Sequence, residues 1–394
     1  MSMTQKTARF VPVLTAITSF GLIIPALISA ALFAPAAQAQ DTKPLTIGEI
    51  ATIKSKILGE DRQLYIYTHH AYSEDDSRYP VAYVLDGEWN FRHTSGVIDL
   101  MSSREVIPWM IVVGIPNIDR LKDLSPSSIK DQPRSGGASA FRHFLREEVF
   151  PYVEARYRTE PFRLLIGHSL AGLFTIDTLF SDPTLFSAYL AVSPYLIWDE
   201  NKYLNSALEK RADMPARRTF LSVYLGDESR LQPAFERLEN ALAARNAPSL
   251  ERHFLRLPGY DHETVYFQAV VQGLFDIFPD WRLPPAAVAG GLDGIRKHYE
   301  GLTAKYGYEI KPVYFVVNMI GYDFIEKGEI DEAIRVLQYA VSLNPDLHFA
   351  FQNLGSCYRR KGMTEEAIRH YEKALKLAPE EAEIRKALLE LKRK

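Results

Sequence analysis

The sequence predicts an α/β fold, a doubly wound and mostly parallel sheet, followed by a small all-α domain. Short apolar runs alternate with longer helical patterns along residues 46–278, as in sheets whose strands are joined by crossover helices. Beyond residue 291 the chain becomes charged and helical, and a 34-residue period appears. That period indicates stacked helical hairpins.

Length and composition limit the classes of function. A chain of 394 residues, 47% of them hydrophobic, can form two or more domains with buried cores. The formal net charge of −3 gives no reason to expect nucleic acid as a partner. The single cysteine, Cys357, excludes an internal disulfide and a cysteine-based metal cluster, and no HExxH pair occurs. We therefore predict neither a metal nor a cofactor.

The N-terminus has the pattern of an export signal. Lys6 and Arg9 precede an uncharged apolar stretch at 11–35, and Ala37-Gln38-Ala39 forms an A-x-A site. This pattern predicts that residues 1–39 are a signal peptide cleaved after Ala39. An uncleaved anchor is the alternative, although the prolines and small residues favour cleavage. The mature protein is then periplasmic or secreted and has no membrane span.

Residues 40–283 are predicted to form the sheet domain. The first two strands show partial alternation, whereas most later strands are continuous apolar runs, typical of strands buried on both faces. Residues 116–137, rich in Asn, Ser, Pro and Gly, are predicted to form a loop over the strand ends. The predicted strands are 46–58, 63–68, 81–85, 109–115, 164–166, 188–192, 220–225 and 253–257, and the predicted helices are 141–157, 173–180, 231–245 and 265–278.

Polar residues directly follow several of these strands. Ligands bind at the carboxyl ends of the strands in open parallel sheets. We therefore expect these residues to converge on one edge of the sheet, although they are far apart in the chain, and to form an active site there. They are Asp86-Gly87, Pro116-Asn117, Ser169, Ser193, Asp227-Glu228 and His262.

The stretch around Ser169 is the central motif. Gly167-His168-Ser169-Leu170-Ala171 follows a strand and opens a helix, the context of a G-x-S-x-G nucleophile elbow, whose strained turn exposes the serine hydroxyl. Ala171 replaces the usual glycine and is expected to fit the turn. A helix start capped by Ser169 is the alternative for this stretch alone. His168 is expected to point away from the nucleophile, into the packing at the sheet edge.

A serine nucleophile needs a base and a group that orients the base. His262 is the predicted base, because it follows the last strand and the chain order serine, acid, histidine matches that of α/β hydrolases. We prefer Glu228 to Asp227 as the orienting acid, and a dyad without an acid stays an alternative. Asp261 is expected to be a turn former.

A tetrahedral intermediate also needs N–H donors that are fixed in advance. The backbone of Leu170, directly after the nucleophile, is the first predicted donor of the oxyanion hole. The second is expected from the residues after the third strand, so either Gly87 or Glu88 is the candidate.

Several polar and aromatic residues near the strand ends are candidates for substrate binding. Asn117 and Arg120 lie in the most polar part of the predicted loop. Alternatively, Arg120 pairs with Asp123 and stabilises that loop. The candidate aromatic walls of the substrate pocket are Trp89, Trp198 and Tyr260.

The C-terminal part of the chain is predicted to be a separate helical domain. Residues 284–291, with two prolines and two glycines, are predicted as a linker, and residues 292–394 as the domain. Tetratricopeptide repeats are predicted at 314–347 and 348–381, where small and aromatic positions match. Because two repeats alone are marginally stable, a further helix and a polar cap are expected to flank them.

Four segments together resemble the Putative esterase family of α/β hydrolases. They are VLDGEWNF at 84–91, IPNIDR at 115–120, GG at 136–137 and GHS at 167–169. That family includes enterochelin and salmochelin esterases, S-formylglutathione hydrolase, feruloyl esterases and antigen 85 mycolyltransferases, and the tetratricopeptide tail resembles a bacterial subgroup. The resemblance implies acyl-ester chemistry with Ser169 as nucleophile and His262 as base.

Taken together, these patterns predict an exported serine esterase that hydrolyses a carboxylic ester of a small molecule through an acyl-enzyme intermediate. One alternative is an interaction protein whose repeats bind a protein partner while the hydrolase domain is a scaffold. Another is an acyltransferase, which differs in the acceptor of the acyl group.

Overall fold

A computed structural model describes residues 44–393, except residue 75, residues 210–216 and residue 246. Within these residues, eight strands form one sheet in the order β1-β2-β4-β3-β5-β6-β7-β8. The predicted signal peptide, 1–39, lies outside the described residues. The strands are β1 Glu49–Ser55, β2 Glu60–Tyr67, β3 Tyr79–Leu85, β4 Ile111–Ile115, β5 Thr159–His168, β6 Ala188–Val192, β7 Thr219–Leu225 and β8 Leu250–Arg256.

The sheet is parallel except at one edge. The pairings from β4 through β3 to β8 are all parallel, whereas β1 pairs with β2, and β2 with β4, in antiparallel fashion. The predicted doubly wound, mostly parallel sheet is confirmed. All parallel strands therefore present their carboxyl ends at the same edge.

Helices cover both faces of the sheet and create two cores. Tyr83 of β3 packs into one core and its neighbour Val84 into the other, because successive side chains of a strand point to opposite faces. A π-helical segment, Leu145–Val149, joins α3 to α4. The helices are α1 Gly87–Ser103, α2 Arg120–Leu124, α3 Ala138–Phe144, α4 Phe150–Arg156, α5 Leu170–Ser181, α6 Lys202–Glu209, α7 Gln232–Ala243, α8 Val265–Ile277, α9 Pro285–Ala289, α10 Gly291–Tyr306, α11 Tyr314–Glu326, α12 Ile330–Leu343, α13 His348–Arg360, α14 Thr364–Leu377 and α15 Ala382–Lys392.

The segment predicted as a loop over the strand ends contains the short helix α2 and is anchored to the sheet. Asp123 in α2 and Arg62 in β2 form a buried ion pair with an Oδ2–Nη2 distance of 2.5 Å. Removing one partner of such a pair leaves a buried charge and costs about 3–5 kcal/mol. The pair therefore holds the loop in a fixed place beside the carboxyl ends of the strands.

The segment predicted as a linker is helical, and the helix after it packs onto the sheet. Residues 285–289 form α9, and α10 begins at Gly291. At the end of α10, the ring of Tyr306 stacks on Phe220 of β7 with centroids 5.5 Å apart, and its hydroxyl donates to the carbonyl of Ile277. The end of α10 therefore belongs to the core of the sheet domain.

Of the remaining helices, α11–α12 and α13–α14 form two stacked hairpins, and α15 packs against α14. Small residues allow the close approach within each hairpin. A Cβ atom on Gly321 would lie 2.6 Å from Leu337, and one on Gly355 would lie 2.8 Å from Tyr371. Along the described part of the chain, no helix is both long and apolar enough to cross a membrane.

Candidate active site

Ser169 lies in a strained turn between β5 and α5. Its backbone has φ 59° and ψ −115°, a conformation that costs a non-glycine residue about 1–3 kcal/mol. Two backbone hydrogen bonds offset this cost. The N–H of Ser169 donates to the carbonyl of Val192 at 2.9 Å, and the N–H of Tyr195 donates to the carbonyl of Ser169 at 3.0 Å. The end of β6 and the residues directly after it therefore fix the turn from one side.

Small residues let β5 and α5 meet at this turn. A Cβ atom on Gly167 would lie 2.3 Å from the carbonyl oxygen of Ala171 and 2.6 Å from Oγ1 of Thr175. Ala171 is fully buried. A methyl group thus fits where the motif usually has glycine, while the position of Gly167 admits no side chain without movement.

The structure brings Ser169, His262 and Glu228 together. His262 Nε2 lies 2.9 Å from Ser169 Oγ, and His262 Nδ1 lies 2.5 Å from Oε2 of Glu228. With Nδ1–H donating to the carboxylate, Nε2 is left as the acceptor of the serine hydroxyl proton. This is the arrangement of a nucleophile, a base and an orienting acid.

The neighbouring acids have other partners. The carboxylate of Asp227 accepts a hydrogen bond from the N–H of Gly259 at 2.7 Å. Asp261 accepts from the backbone and side chain of Thr264, as expected of a turn former. Of the two acids considered for the third position, Glu228 is the one that contacts His262.

Ser193 is a member of this cluster to which sequence reasoning gave no role beyond its place at a strand end. It is fully buried and has a backbone φ of 40°. Its hydroxyl donates to Oε1 of Glu228, so both carboxylate oxygens of Glu228 accept hydrogen bonds. The position of Ser193 directly after a buried strand was the one sign in the sequence that it belongs to the site. Its hydrogen bond to Glu228, 35 positions away, does not follow from the spacing of the residues.

These contacts set the protonation states. Burial acts to raise the pKa of Glu228, but hydrogen bonds from His262 and Ser193 outweigh it, and the pKa lies below its usual value. The hydrogen bond to Glu228 raises the pKa of His262 above 6.5, against the opposing effect of burial. The carboxylate therefore stays ionised near neutral pH and favours the protonated form of the imidazole.

His168 contacts His262, a partner that the sequence did not predict for it. Its Nε2 lies 2.8 Å from the backbone carbonyl of His262, and the two imidazole rings lie 4.7 Å apart. Burial, and then the proximity of His262, lower the pKa of His168, so the ring is neutral at pH 7. A neutral ring with Nε2–H donates to that carbonyl and holds the loop of His262.

The predicted oxyanion-hole residues lie at the starts of two helices. Leu170 opens α5, and Gly87 and Glu88 open α1. The first amides of a helix have no acceptor within that helix, so they are free to bind an anion. A Cβ atom on Gly87 would lie 2.6 Å from the backbone nitrogen of Ile115. This position therefore requires glycine.

Asn117 and Arg120 bind the residues at the start of α1. Arg120 donates to both carboxylate oxygens of the buried Asp86 at 2.8 Å, and to the carbonyl of His168 at 3.2 Å. The side chain of Asn117 donates to Asp86 and Glu88. The pair of Arg120 with Asp123, considered above, does not form, because Asp123 binds Arg62. Arg120 and Asn117 thus organise the backbone around the site.

The three candidate wall residues differ in exposure. Trp89 is 67% exposed. Trp198 is 3% exposed, and its indole N–H donates to Ser127. It packs into the core, and its edge reaches a cavity of about 740 Å³ that Tyr195 and Arg230 also line. The backbone carbonyl of Tyr260 accepts from the N–H of Asp227, so Tyr260 helps to shape the loop of the acid.

Comparison with known proteins identifies the family. The family model described as "Putative esterase" matches residues 55–273, more than half of the chain. The chain belongs to this family. A tetratricopeptide repeat model matches residues 348–381, the second predicted repeat.

Individual relatives agree with this membership. The ferri-bacillibactin esterase BesA of Bacillus subtilis is 27% identical over 231 residues, which cover 51% of this chain and 80% of BesA. The siderophore enterobactin esterase of Emericella nidulans is 41% identical over 79 residues, 18% of this chain and 25% of that protein. The chain is accordingly a serine-type esterase that hydrolyses ester bonds.

Solved structures share the fold of this esterase. The IroE-like serine hydrolase of Shewanella oneidensis superposes with a TM-score of 0.62 at 21% identity, over 84% of this chain and 100% of that one. The BES protein of Bacillus cereus superposes with a TM-score of 0.53 at 25% identity, over 60% of this chain and 96% of that one. The α/β-hydrolase prediction is thereby confirmed.

Replacing Gly167 tests the packing of the turn. Gly167→Ala is expected to lower the free energy of unfolding by about 1–3 kcal/mol, because the new methyl group overlaps the backbone of Ala171. Gly301→Ala in α10 is the control. No heavy atom lies within 4 Å of its added Cβ, so a stabilisation of up to about 1 kcal/mol is expected. Urea unfolding measures both, and equal stability of the two variants would contradict the packing argument.

Replacing the acids tests the role of Glu228. Glu228→Gln is expected to lower kcat/KM at least about tenfold, or roughly 1.4 kcal/mol, because the amide stabilises the imidazolium of His262 less well. In the parent, protonation of His262 stops it from accepting the serine proton. The acid limb of the pH profile therefore lies above 6.5, and in Glu228→Gln it is expected to move to lower pH.

Asp227→Asn is the matched control, because the neighbouring carboxylate binds Gly259 and not His262. Its kcat/KM and its acid limb are expected to stay close to those of the parent. If Glu228→Gln behaves like this control, then the site acts as a dyad of Ser169 and His262.

Proposed function

We propose that the protein is an exported esterase that cleaves a carboxylic ester through an acyl-enzyme intermediate on Ser169. The observation that carries this proposal is the continuous hydrogen-bonded series from Ser169 through His262 to Glu228, with distances of 2.9 and 2.5 Å. Such an arrangement supplies an activated nucleophile and a proton carrier in one place.

In the first half of the reaction, Ser169 Oγ forms a bond to the ester carbonyl carbon and transfers its proton to His262 Nε2. The carbonyl oxygen becomes an oxyanion, which accepts hydrogen bonds from the N–H of Leu170 and that of Gly87 or Glu88. When the intermediate collapses, the bond to the alcohol oxygen breaks. The alcohol leaves with the proton from His262 and the acyl group stays on Ser169.

In the second half, water takes the place of the alcohol. His262 accepts a proton from the water while the water oxygen attacks the acyl carbon, and the same amides hold the oxyanion. Collapse of this intermediate breaks the bond to Ser169 Oγ, which regains its proton from His262 as the acid leaves. Throughout, the ionised Glu228 keeps Nδ1 of His262 protonated and stabilises the positive charge that forms on the ring.

The substrate that we propose is an ester within a siderophore. The support comes from the relatives, which include esterases for ferri-bacillibactin, enterobactin and triacetylfusarinine C. Tyr195, whose N–H donates to the carbonyl of Ser169, also lines a cavity of about 740 Å³, although Ser169 and His262 do not line that cavity. Its charged and polar lining suits a polar substrate.

The N-terminal pattern supports export. Lys6, Arg9, the apolar stretch and the A-x-A site together form the pattern of a cleaved signal peptide. Export would bring the esterase into the periplasm or the medium.

The helical repeats favour a second, non-catalytic role in binding a protein partner. Phe315, Met319 and Tyr322 of α11, together with Phe349 of α13, are between 44% and 51% exposed. The three residues on α11 follow a three- and four-residue spacing and so share one face of the helix. An apolar row of this kind suits a helix or an extended segment of another protein.

Replacing Ser169 tests the acyl-enzyme mechanism. Ser169→Ala is expected to lower kcat/KM for p-nitrophenyl acetate by at least about 10³-fold and to abolish labelling by a fluorophosphonate. Ser181→Ala, at the far end of the same helix, is the control and should keep both. Turnover with full labelling in Ser169→Ala would rule out this nucleophile.

The products of the parent reaction, identified by mass spectrometry, distinguish hydrolysis from acyl transfer. Free acid as the main product in the presence of glycerol supports hydrolysis, whereas acylated glycerol supports a transferase.

The position of the mature N-terminus tests export. When the full chain is expressed in a Gram-negative host, the periplasmic protein is expected to begin at Gln40, as read by N-terminal sequencing. Ala39→Asp is the matched variant and should block cleavage, because the site requires a small residue. A protein that retains Met1 in the cytoplasm would contradict the proposal.

A further inference from the structure

Two exposed aromatic side chains lie in the first turns of α1 and α8, which begin at the proposed oxyanion donors and just after the loop of His262. Trp89 of α1 is 67% exposed and Phe267 of α8 is 54% exposed. The half-buried ring of His93 lies 5.4 Å from that of Phe267. We call Trp89, His93 and Phe267 the aromatic shelf. Large aromatic groups that remain in contact with water near a catalytic residue are suited to binding a ligand.

Two members of the shelf lie on α1. Trp89 and His93 are four residues apart on one helix and so share a face. Burial lowers the pKa of His93, so its imidazole is uncharged near neutral pH. The half-buried ring of His93 is therefore a neutral member of the shelf, in contact with Phe267.

Both ends of the shelf connect to the residues that flank Ser169. From His93, ring contacts run through Tyr266 at 5.8 Å to His168 at 5.9 Å, and from His168 to His262 at 4.7 Å. These contacts connect the shelf to His262 through the buried Tyr266 and through His168.

At the other end, Cζ of Arg120 lies 6.0 Å from the ring of Trp89. The guanidinium of Arg120 is itself fixed, because it binds both oxygens of Asp86 and the carbonyl of His168. A fixed cation at this distance from an indole attracts its ring. The indole ring of Trp89 is therefore attracted toward Arg120. Trp89 directly follows the proposed oxyanion donors Gly87 and Glu88 in α1.

The position of the shelf indicates which part of an ester it would contact. In the proposed mechanism, His262 gives its proton to the departing alcohol, so the alcohol part lies beside the imidazole. Phe267 is in the first turns of α8, the helix that directly follows the loop of His262. The shelf thus extends from the alcohol side of the site.

We propose that the aromatic shelf binds an aryl group carried by the alcohol part of the ester, an assignment that rests on the proposed esterase mechanism. Planar rings stack on the faces and edges of aromatic side chains better than saturated rings of similar size do. Trp89 and Phe267 then make the enzyme selective for esters of aryl-bearing alcohols.

Two esters that differ only in this feature test the proposal. Benzyl butyrate and cyclohexylmethyl butyrate share an acyl group, and their primary alcohols are of similar size, but only the first has a planar ring. Hydrolysis is followed with a pH-stat. p-Nitrophenyl acetate, a reactive ester whose alcohol part is also aromatic, reports only whether the enzyme is active. The parent is expected to prefer the benzyl ester in kcat/KM by roughly threefold or more.

Trp89→Ala and Phe267→Ala are expected to reduce this preference toward equality. Leu100→Ala on α1 and Phe275→Ala on α8 are the matched controls, because these residues are 59% and 42% exposed and lie further along the same helices. Both controls should keep the preference of the parent. Thermal melting checks that all four variants fold.

The outcomes separate the shelf from the esterase. A preference that is lost in Trp89→Ala and Phe267→Ala but kept in the controls supports the shelf. If the parent hydrolyses p-nitrophenyl acetate but shows no preference, or if the shelf variants keep it, then the shelf is overturned and the esterase stands. A parent that hydrolyses none of the three esters overturns the proposed function, and the shelf with it.

Discussion

The backbone of Ser169 is the constraint on which the site depends. A positive φ at a serine is unfavourable, and it persists because the surrounding structure leaves no alternative. Gly167 allows α5 to approach β5. Val192 at the end of β6 and Tyr195 just after it bind the serine backbone. The hydroxyl is thereby held at the carboxyl edge of the sheet, where the loop of His262 reaches it.

The second layer of the site is a set of hydrogen bonds that hold the base. Glu228 is held by Ser193 on one oxygen and by His262 on the other, so the carboxylate cannot turn away without losing two bonds. His168 binds the backbone of His262 from the opposite side. The imidazole is therefore oriented both through its own Nδ1 and through its main chain. An orientation fixed before the substrate arrives lowers the cost of reaching the transition state.

The loop that carries the proposed oxyanion donors Gly87 and Glu88 is fixed by buried charges. Asp86, itself at a φ of 53°, binds Arg120 and Asn117, which ties the start of α1 to the segment after β4. Asp123 continues this arrangement by binding Arg62 in β2. These ion pairs connect the edge of the sheet to the residues around Ser169, and they stabilise the conformation of a segment rich in loop-forming residues.

The sequence by itself determined the sheet, the turn at Ser169, the candidates for the base and the acid, and the helical repeats. These features depend on local periodicity, on small residues at fixed offsets and on chain order, all of which can be read along the chain.

The tertiary structure decided what depends on distance in space. It distinguished Glu228 from Asp227, although the two are adjacent in sequence, because the direction of a side chain is set by the packing of its loop. It turned His168 toward His262, gave Arg120 the partner Asp86, buried Trp198 and joined the end of α10 to the core of the sheet domain. Each of these contacts links segments that are far apart in the chain, and spacing carries no information about which polar groups will meet when the elements pack.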